Sequence, residues 1–256
     1  MLGAIAGDII GSVYEANPIK TTEFPLFGAG ATFTDDTVLT IATAQAILNE
    51  VGYAEIYKQF GRAYPYSGYG GSFIGWLFSE SSKPYNSWGN GSAMRVSPVG
   101  FAFDSEKEVL EEAAGSAEVT HNHPEGIKGA QATALAVFLA RTGNDRESIK
   151  SEIADRFKYD MDRTVDGIRP GYRFDVSCQG TVPEAIICFL ESSSFEDALR
   201  KAVSLGGDSD TLACITGGIA QAYYKKIPSE IVSQTKKRLP EEFIRILDGF
   251  GDKYIS

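Results

Sequence analysis

The sequence predicts an all-α protein that folds as one domain across residues 1–256. Most segments carry apolar residues at helical spacing, and alternating strand patterns are scarce. No repeat, low-complexity tract or long linker divides the chain, and 256 residues is close to the upper limit for a single hydrophobic core. We therefore expect a single compact, orthogonal multi-helix domain.

The predicted helices follow one another along the chain. The first runs from about Gly3 to Glu15 and has small residues that allow close packing. The segment 104–121 has an N-cap at Asp104 or Ser105 and acidic residues in its early turns. The segment 125–141 is apolar on nearly every side, which predicts a buried central helix. Further helices are predicted in 181–192, with Pro183 near its first turn, and in 193–207, 208–226 and 228–250.

Composition and charge limit the function classes. The formal net charge of −10 argues against nucleic-acid binding, which requires a basic surface. No segment reaches the roughly 18 consecutive apolar residues of a membrane span, and MLGAIAGDII lacks the basic start of a secretory signal. Cys178, Cys188 and Cys214 are odd in number and show no CxxC spacing, which is typical of a reducing compartment. We expect a cytoplasmic protein, and nothing in the sequence requires more than a monomer.

Two acidic motifs open two of the predicted helices. Asp35 and Asp36 stand between threonines in TFTDDTVLT, and Asp208 and Asp210 precede Thr211 in GGDSDTLAC. An aspartate at a helix start can cap backbone N–H groups and stabilise the helix by about 0.5–2 kcal/mol. Either motif alone is compatible with capping. Together they also fit a metal site, provided that the two helix starts meet in one cleft.

Convergence of four carboxylates would require cations. At about 5 Å and an effective dielectric constant near 20, each like-charge pair costs on the order of 3 kcal/mol. The sum over all pairs would exceed the stability of a typical domain, and two divalent cations would balance the four charges. Aspartate and threonine oxygens are hard donors, which suit Mg²⁺, Mn²⁺ or Ca²⁺ rather than Zn²⁺. The sequence therefore predicts a dinuclear metal cleft that is open to water or substrate hydroxyls.

Other signatures are weaker. DSDTL lacks the glycine and terminal glutamate of an EF-hand loop, GDSDT is one residue short of a GxSxG elbow, and GAGATF fails GxGxxG at its last position. His121 and His123 in THNHPEG suggest a metal-dependent phosphoesterase or amidohydrolase, but they can also end one helix and cap the next. The metallohydrolase alternative expects alternating β/α units and more histidines than the 2 in the chain.

Several motifs, taken in their order along the chain, resemble those of the ADP-ribosylglycohydrolase family. TDDT (Thr34–Thr37) paired with GGDSDT (Gly206–Thr211) is specific, and GAIAGDIIGSVYE, GNGSAMRVSPVG and SCQGTVPEAI accompany the pair along almost the whole chain. The family comprises all-α, dinuclear-metal enzymes, including dinitrogenase-reductase-activating glycohydrolases and ADP-ribosylserine and ADP-ribosylarginine hydrolases. The resemblance implies hydrolysis of the bond between C1″ of ADP-ribose and an acceptor on a protein or small molecule, which releases ADP-ribose.

The resemblance also implies roles at the acidic motifs. Glu15, at the end of the first helix, would act as a base toward a metal-associated water or as a proton shuttle. Asp35 and Asp36 are the alternative groups for the proton transfer. The two Mg²⁺ or Mn²⁺ ions would be bound by Thr34, Asp35 and Asp36 from one side and by Asp208, Asp210 and Thr211 from the other.

Two glycine loops resemble the family's substrate-binding loops. Unshielded N–H groups in SGYGGS and SWGNGSAMR suit phosphate oxygens, and Trp88 would stack on adenine. Arg95 would support the second loop through hydrogen bonds, His121 would contact the phosphates, and His123 would be structural. The implied substrate-binding residues are Gly68, Tyr69, Gly70, Gly71, Ser72, Ser87, Trp88, Gly89, Asn90, Gly91 and His121.

The acceptor stays open at the level of sequence: arginine, serine, an acetyl ester or a nucleobase. The extension HNHPEGIKGAQA departs from the best-known eukaryotic members, which bears on the acceptor rather than on the fold. The alternative from another class is a catalytically silent ADP-ribose-binding protein of the same fold. The presence of all six implied metal ligands and of Glu15 argues against this alternative.

Overall fold

Helices account for the regular secondary structure of this protein. The computed structural model describes residues 1–255 and contains fifteen helices in that range. Within the same residues no β-strand forms, and the β-contact present is an isolated antiparallel bridge between Gly89 and Ser177. The predicted all-α class is confirmed.

The helices are numbered in chain order, and the predicted first helix is present as α1. They are α1 (Leu2–Glu15), α2 (Asp35–Asn49), α3 (Tyr53–Ala63), α4 (Gly71–Phe78), α5 (Gly91–Met94), α6 (Ser97–Ala102), α7 (Glu106–Glu118), α8 (Pro124–Arg141), α9 (Arg146–Phe157), α10 (Val165–Ile168), α11 (Cys178–Leu190), α12 (Phe195–Ser204), α13 (Ser209–Tyr224), α14 (Ser229–Lys236) and α15 (Glu241–Tyr254).

Helices α1 and α13 pack tightly against each other in the core. Gly3, Gly7 and Gly11 recur every four residues, so they share the face of α1 that contacts α13. Cβ atoms at these three positions would lie within 2.4 Å of backbone carbonyl oxygens of α13. Only glycine allows the two backbones to approach this closely. The approach places the end of α1, at Glu15, beside the start of α13.

Helix α8 is the buried helix that the sequence predicts for 125–141. It packs against α5, α6, α7, α11 and α13, so almost every side of it is covered. His123 is its N-cap, and the Nδ1 atom accepts a hydrogen bond of 3.1 Å from the backbone N–H of Glu125. Ser105 caps α7 by accepting from the backbone N–H of Glu108, which selects one of the two predicted caps.

Two predicted helix boundaries are wrong. The helix expected to start near Pro183 begins at Cys178, because the Ser177 side chain caps it by accepting from the N–H of Gly180. Pro183 therefore lies inside α11, where it removes a backbone donor. The segment 228–250 forms two helices, α14 and α15, because Pro240 cannot continue the first and starts the second.

The long loop between α1 and α2 is fixed to the helical body through its backbone carbonyls. Arg200 on α12 donates to the carbonyl oxygens of Thr22 and Phe24, both at 2.9 Å. Lys20 in the loop donates to the carbonyl oxygen of Tyr172 at 2.9 Å. Among residues 1–255, no helix combines the length and the apolar character needed to cross a bilayer.

Candidate active site

A cavity of about 570 Å³ lies where the end of α1 meets the starts of α2 and α13. The two acidic motifs therefore meet in one cleft, as the metal hypothesis requires. All predicted site residues except Tyr69 line this cavity: Glu15, Thr34, Asp35, Asp36, Gly68, Gly70, Gly71, Ser72, Ser87, Trp88, Gly89, Asn90, Gly91, His121, Asp208, Asp210 and Thr211.

The start of α2 is capped by a threonine rather than by its aspartates. Thr34 is the N-cap, and its hydroxyl accepts a 3.3 Å hydrogen bond from the N–H of Asp36. The backbone N–H of Asp35 donates to the carbonyl oxygen of Ser67 at 2.7 Å, which joins α2 to the first glycine loop. Because Thr34 does the capping, the carboxylates of Asp35 and Asp36 are left for the cavity.

Asp8, a buried residue in the middle of α1, holds this turn in place. It accepts from the backbone N–H groups of Thr34 and Thr37 at 3.0 and 3.1 Å, and from the Thr34 hydroxyl at 2.7 Å. The Thr37 hydroxyl donates to it as well. Sequence reasoning missed Asp8, although a charged residue inside the otherwise apolar GAIAGDIIG was a usable signal.

We expect Asp8→Ala to destabilise the protein by about 3 kcal/mol or more, because several buried donors lose their acceptor at about 1–3 kcal/mol each. Asp8→Asn should cost much less, since the amide oxygen replaces one carboxylate oxygen and a buried charge is removed. Urea unfolding of the two variants measures the difference. Equal stability of Asp8→Ala and the wild type would show that these bonds do not hold the turn.

The start of α13 follows a glycine turn and uses its acidic residues differently. Gly206 and Gly207 have φ values of +68° and +80°, which favour glycine. Asp208 is the N-cap residue but makes no side-chain cap; its Oδ2 accepts from the side-chain amide of Asn90 at 2.7 Å. Asp210 Oδ1 accepts from the N–H of Thr211 at 3.0 Å.

One side-chain contact joins the two motifs directly. The Thr211 hydroxyl donates to Asp36 Oδ2 at 3.3 Å, whereas the other oxygen of Asp36 is buried without a hydrogen-bond partner. Carboxylate oxygens of Glu15, Asp208 and Asp210 lie within 4.8 Å of one another. A buried carboxylate oxygen with no donor, beside a cluster of three more carboxylates, fits a cation site.

The electrostatics of the cluster favour a cation. Burial raises the pKa of Asp35, Asp36 and Asp210 well above the usual value, and neighbouring aspartates raise it further. Burial and the charges of Asp208 and Asp8 also raise the pKa of Glu15. These carboxylates resist carrying negative charge together, so a bound divalent cation would relieve their repulsion.

The first glycine loop leads into α4. Gly68 has a φ of +103°, and a Cβ atom there would lie 3.3 Å from Asp35 Oδ1. Gly70 and Gly71 have no neighbouring group within 4 Å of a Cβ position, so their backbone faces open space. Tyr69 differs from the prediction: its ring is buried and stacks on Phe73 at 5.1 Å instead of lining the cavity. The sequence motif did not show that the Tyr69 ring packs into the core beside Phe73.

The second glycine loop pairs with the segment before α11. The N–H of Asn90 donates to the carbonyl oxygen of Val176 at 2.7 Å, and the N–H of Cys178 donates to that of Trp88 at 3.0 Å. This pairing brings Phe174 and Val176 to the cavity wall near Trp88. Trp88 and Phe174 are 47% and 56% exposed, so the cavity has an aromatic rim. Sequence reasoning missed Phe174 and Val176, and no motif marks them.

The two histidines have separate environments. His121 lines the cavity and is buried, and its Nδ1 lies 2.7 Å from the Thr120 hydroxyl. His123 does not line the cavity, and it caps α8. Arg95 is fully buried and donates to Thr120 rather than to the glycine loop. The metallohydrolase alternative built on both histidines therefore has no shared site to support it.

The comparison with known proteins defines the class. Residues 1–254 match the model of the ADP-ribosylglycohydrolase family, so the chain belongs to that family. The resemblance noted in its motifs is confirmed.

Individual relatives extend this result. ADP-ribosylhydrolase ARH3 of Mus musculus is 27% identical over 98% of this chain and 87% of its own length. ADP-ribosylhydrolase ARH3 of Homo sapiens is 27% identical over 88% of this chain and 84% of its own length. A solved structure described as an ADP-ribosylglycohydrolase-related protein complex matches with a TM-score of 0.76 at 24% identity, covering 98% of this chain and 96% of that chain. This last likeness establishes the shared fold.

Proposed function

We propose that the protein is a metal-dependent hydrolase that cleaves the bond between C1″ of ADP-ribose and an acceptor, and releases ADP-ribose. The observation that carries the proposal is the meeting of both acidic helix starts with Glu15 in one cavity. Family membership supplies the substrate class, an ADP-ribosylated protein or a small-molecule conjugate. One chain supplies every proposed ligand, so we infer that a monomer, acting as one domain, is sufficient.

The residues that would hold two Mg²⁺ or Mn²⁺ ions belong to α2 and α13. Bound cations would orient the distal ribose through its hydroxyls and lower the pKa of an associated water. Glu15 is close enough to Asp208 and Asp210 to be a further ligand in addition to its proposed role in proton transfer. The proposed ligands are Thr34, Asp35, Asp36, Asp208, Asp210 and Thr211.

Glu15 is the proposed proton-transfer group. It ends α1, is largely exposed to the cavity, and has a raised pKa, so it holds a proton more readily than an ordinary glutamate. Asp35 and Asp36 remain the alternative groups for proton transfer, but their carboxylates are better suited to binding the metal ions. The hydroxyl of Thr34 and the backbone around Ser67 keep the α2 carboxylates in position.

The glycine loops and the aromatic rim suit the rest of an ADP-ribose. The exposed backbone of Gly70 and Gly71 leaves N–H groups accessible to diphosphate oxygens, and Ser72 adds a hydroxyl at the start of α4. Trp88 offers a half-exposed ring for stacking on adenine. His121 lines the same cavity beside the second glycine loop, where it would contact the phosphates.

Release of ADP-ribose from arginine-, serine- and acetyl-linked substrates tests the proposal. The assay is run with Mg²⁺, with Mn²⁺ and with EDTA. We expect release from at least one substrate in the presence of metal and none in EDTA, because the carboxylate cluster cannot position the ribose without its cations. The responding substrate would identify the acceptor.

Three outcomes would contradict the proposal. Release that continues undiminished in EDTA would exclude the metal role. Binding of ADP-ribose in calorimetry without release from any substrate would favour the catalytically silent binding protein. Free phosphate among the products would favour a phosphoesterase.

A further inference from the structure

Buried hydrogen bonds join Arg95, Thr120 and His121 at the wall of the cavity, which Arg95 and His121 both line. Arg95 Nη2 donates to the Thr120 hydroxyl oxygen at 2.9 Å and to the carbonyl oxygen of Ser116 at 2.8 Å. The same Thr120 oxygen lies 2.7 Å from His121 Nδ1. Arg95 and Thr120 are completely buried, and His121 is 5% exposed. Water therefore has little access to the polar atoms that form these hydrogen bonds.

The direction of the hydrogen bonds follows from the chemistry of the groups. A guanidinium only donates, so the Thr120 oxygen must accept from Arg95. The hydroxyl hydrogen of Thr120 has His121 Nδ1 as its acceptor. If Nδ1 carried the hydrogen instead, this buried hydroxyl would be left without an acceptor, which is rare in folded proteins. Nδ1 therefore accepts, and the ring hydrogen is on Nε2.

The Nε2 atom faces the second glycine loop. Cβ atoms at Gly91 and Gly89 would lie 3.1 and 3.7 Å from it, so both glycines leave space around the ring edge. Burial and the charge of Arg95 hold the pKa of His121 well below its usual range. The Tyr85 ring lies 6.0 Å away and carries no charge at neutral pH. His121 is therefore neutral beside a fully buried cation.

We propose that Thr120, oriented by Arg95, is a positioning residue that holds His121 as the neutral Nε2–H tautomer, so that Nε2 donates a hydrogen bond to an anionic oxygen in the cavity. The identity of that oxygen as a diphosphate oxygen rests on the proposed function. The tautomer does not, because it follows from groups of the protein alone. The donor is ready before the ligand arrives, and no proton uptake accompanies binding.

Nitrogen NMR of the two imidazoles tests the tautomer directly. The chain has 2 histidines, so the imidazole signals that remain in the His123→Gln variant belong to His121, which assigns them. His123 is an internal reference, because its Nδ1 also accepts a hydrogen bond. In ligand-free protein at pH 7 we expect the Nε2–H pattern for His121. An imidazolium or the Nδ1–H tautomer would overturn the proposal.

Two pairs of variants separate the hydrogen bond from packing. Thr120→Ser keeps the hydroxyl and should keep the wild-type spectrum and ADP-ribose affinity. Thr120→Val keeps the shape, and we expect a mixture of tautomers with affinity a few-fold weaker. His121→Gln can place an amide N–H near the Nε2 position, whereas His121→Asn places it near Nδ1. We expect His121→Asn to weaken ADP-ribose binding about tenfold or more and His121→Gln much less.

An unchanged tautomer in Thr120→Val would overturn the role of Thr120. Equal binding by His121→Asn and His121→Gln would overturn the role of Nε2. Failure of the proposed function looks different, since wild-type protein would then show the Nε2–H tautomer but neither bind ADP-ribose nor release it.

Discussion

Asp210→Asn should lower the rate of ADP-ribose release by about 100- to 1,000-fold and at the same time raise the thermal stability of the metal-free protein. The rate falls because Asp210 is one of the buried carboxylates that would hold the cations and the ribose, and loss of a single charge-stabilising group costs roughly 10²–10³ in rate. The stability rises because burial, together with the charges of Asp36 and Asp208, raises the pKa of Asp210, so a charge at this position is unfavourable without a cation. Removing one of these charges relieves repulsion.

The matched control is Asp155→Asn, which makes the same chemical change at an exposed position on α9. Release rate, Mn²⁺ affinity by calorimetry, and Tm in EDTA and in Mn²⁺ are measured for both variants and the wild type. The control should match the wild type in all four. An Asp210→Asn variant that keeps its rate and its Mn²⁺ affinity would remove Asp210 from the metal site.

The role of the acidic motifs was predictable because each motif consists of a few consecutive residues that can be recognised in the sequence alone. Aspartates at the start of one apolar helix can act as caps, but two such helix starts in one all-α chain point to a shared cation site, because four converging carboxylates repel one another. The prediction needed one fact that the sequence could not give, namely that the starts of α2 and α13 meet. The hydrogen bond between Thr211 and Asp36 shows that they do.

Other parts of the cavity depend on contacts between distant segments, so their residues could not be predicted from short sequence motifs. Phe174 reaches the wall because its segment pairs with the second glycine loop. Asp8 acts through the backbone of a turn 26 residues later in the chain. Each of these depends on tertiary packing, which overrides what a short motif predicts.

The spacing of glycines on α1 connects the core to the chemistry. A Cβ atom at Gly7 would lie 2.0 Å from the carbonyl oxygen of Ala213, a backbone atom that cannot rotate away. Gly7→Ala must therefore push α1 from α13; overpacking typically costs about 1–3 kcal/mol, and a clash with backbone belongs at the upper end of that range. We expect Tm to fall by roughly 6–12 °C for a chain of this size. Glu15 would move with α1, and a displacement of about 1 Å at a reacting group can cost about 100-fold in rate.

Gly115→Ala is the matched control, since it makes the same substitution inside α7, where no atom outside the adjoining helix backbone lies within 4 Å of the new methyl group. Alanine is the better helix former by about 0.5–1 kcal/mol, so this control should be slightly more stable than the wild type and fully active. A fall in Tm for Gly7→Ala and a rise in Tm for Gly115→Ala would separate the effect of close packing from that of helix propensity. If Gly7→Ala kept both its Tm and its rate, the position of Glu15 could not depend on the contact between α1 and α13, and the cluster would have to be held by its loops alone.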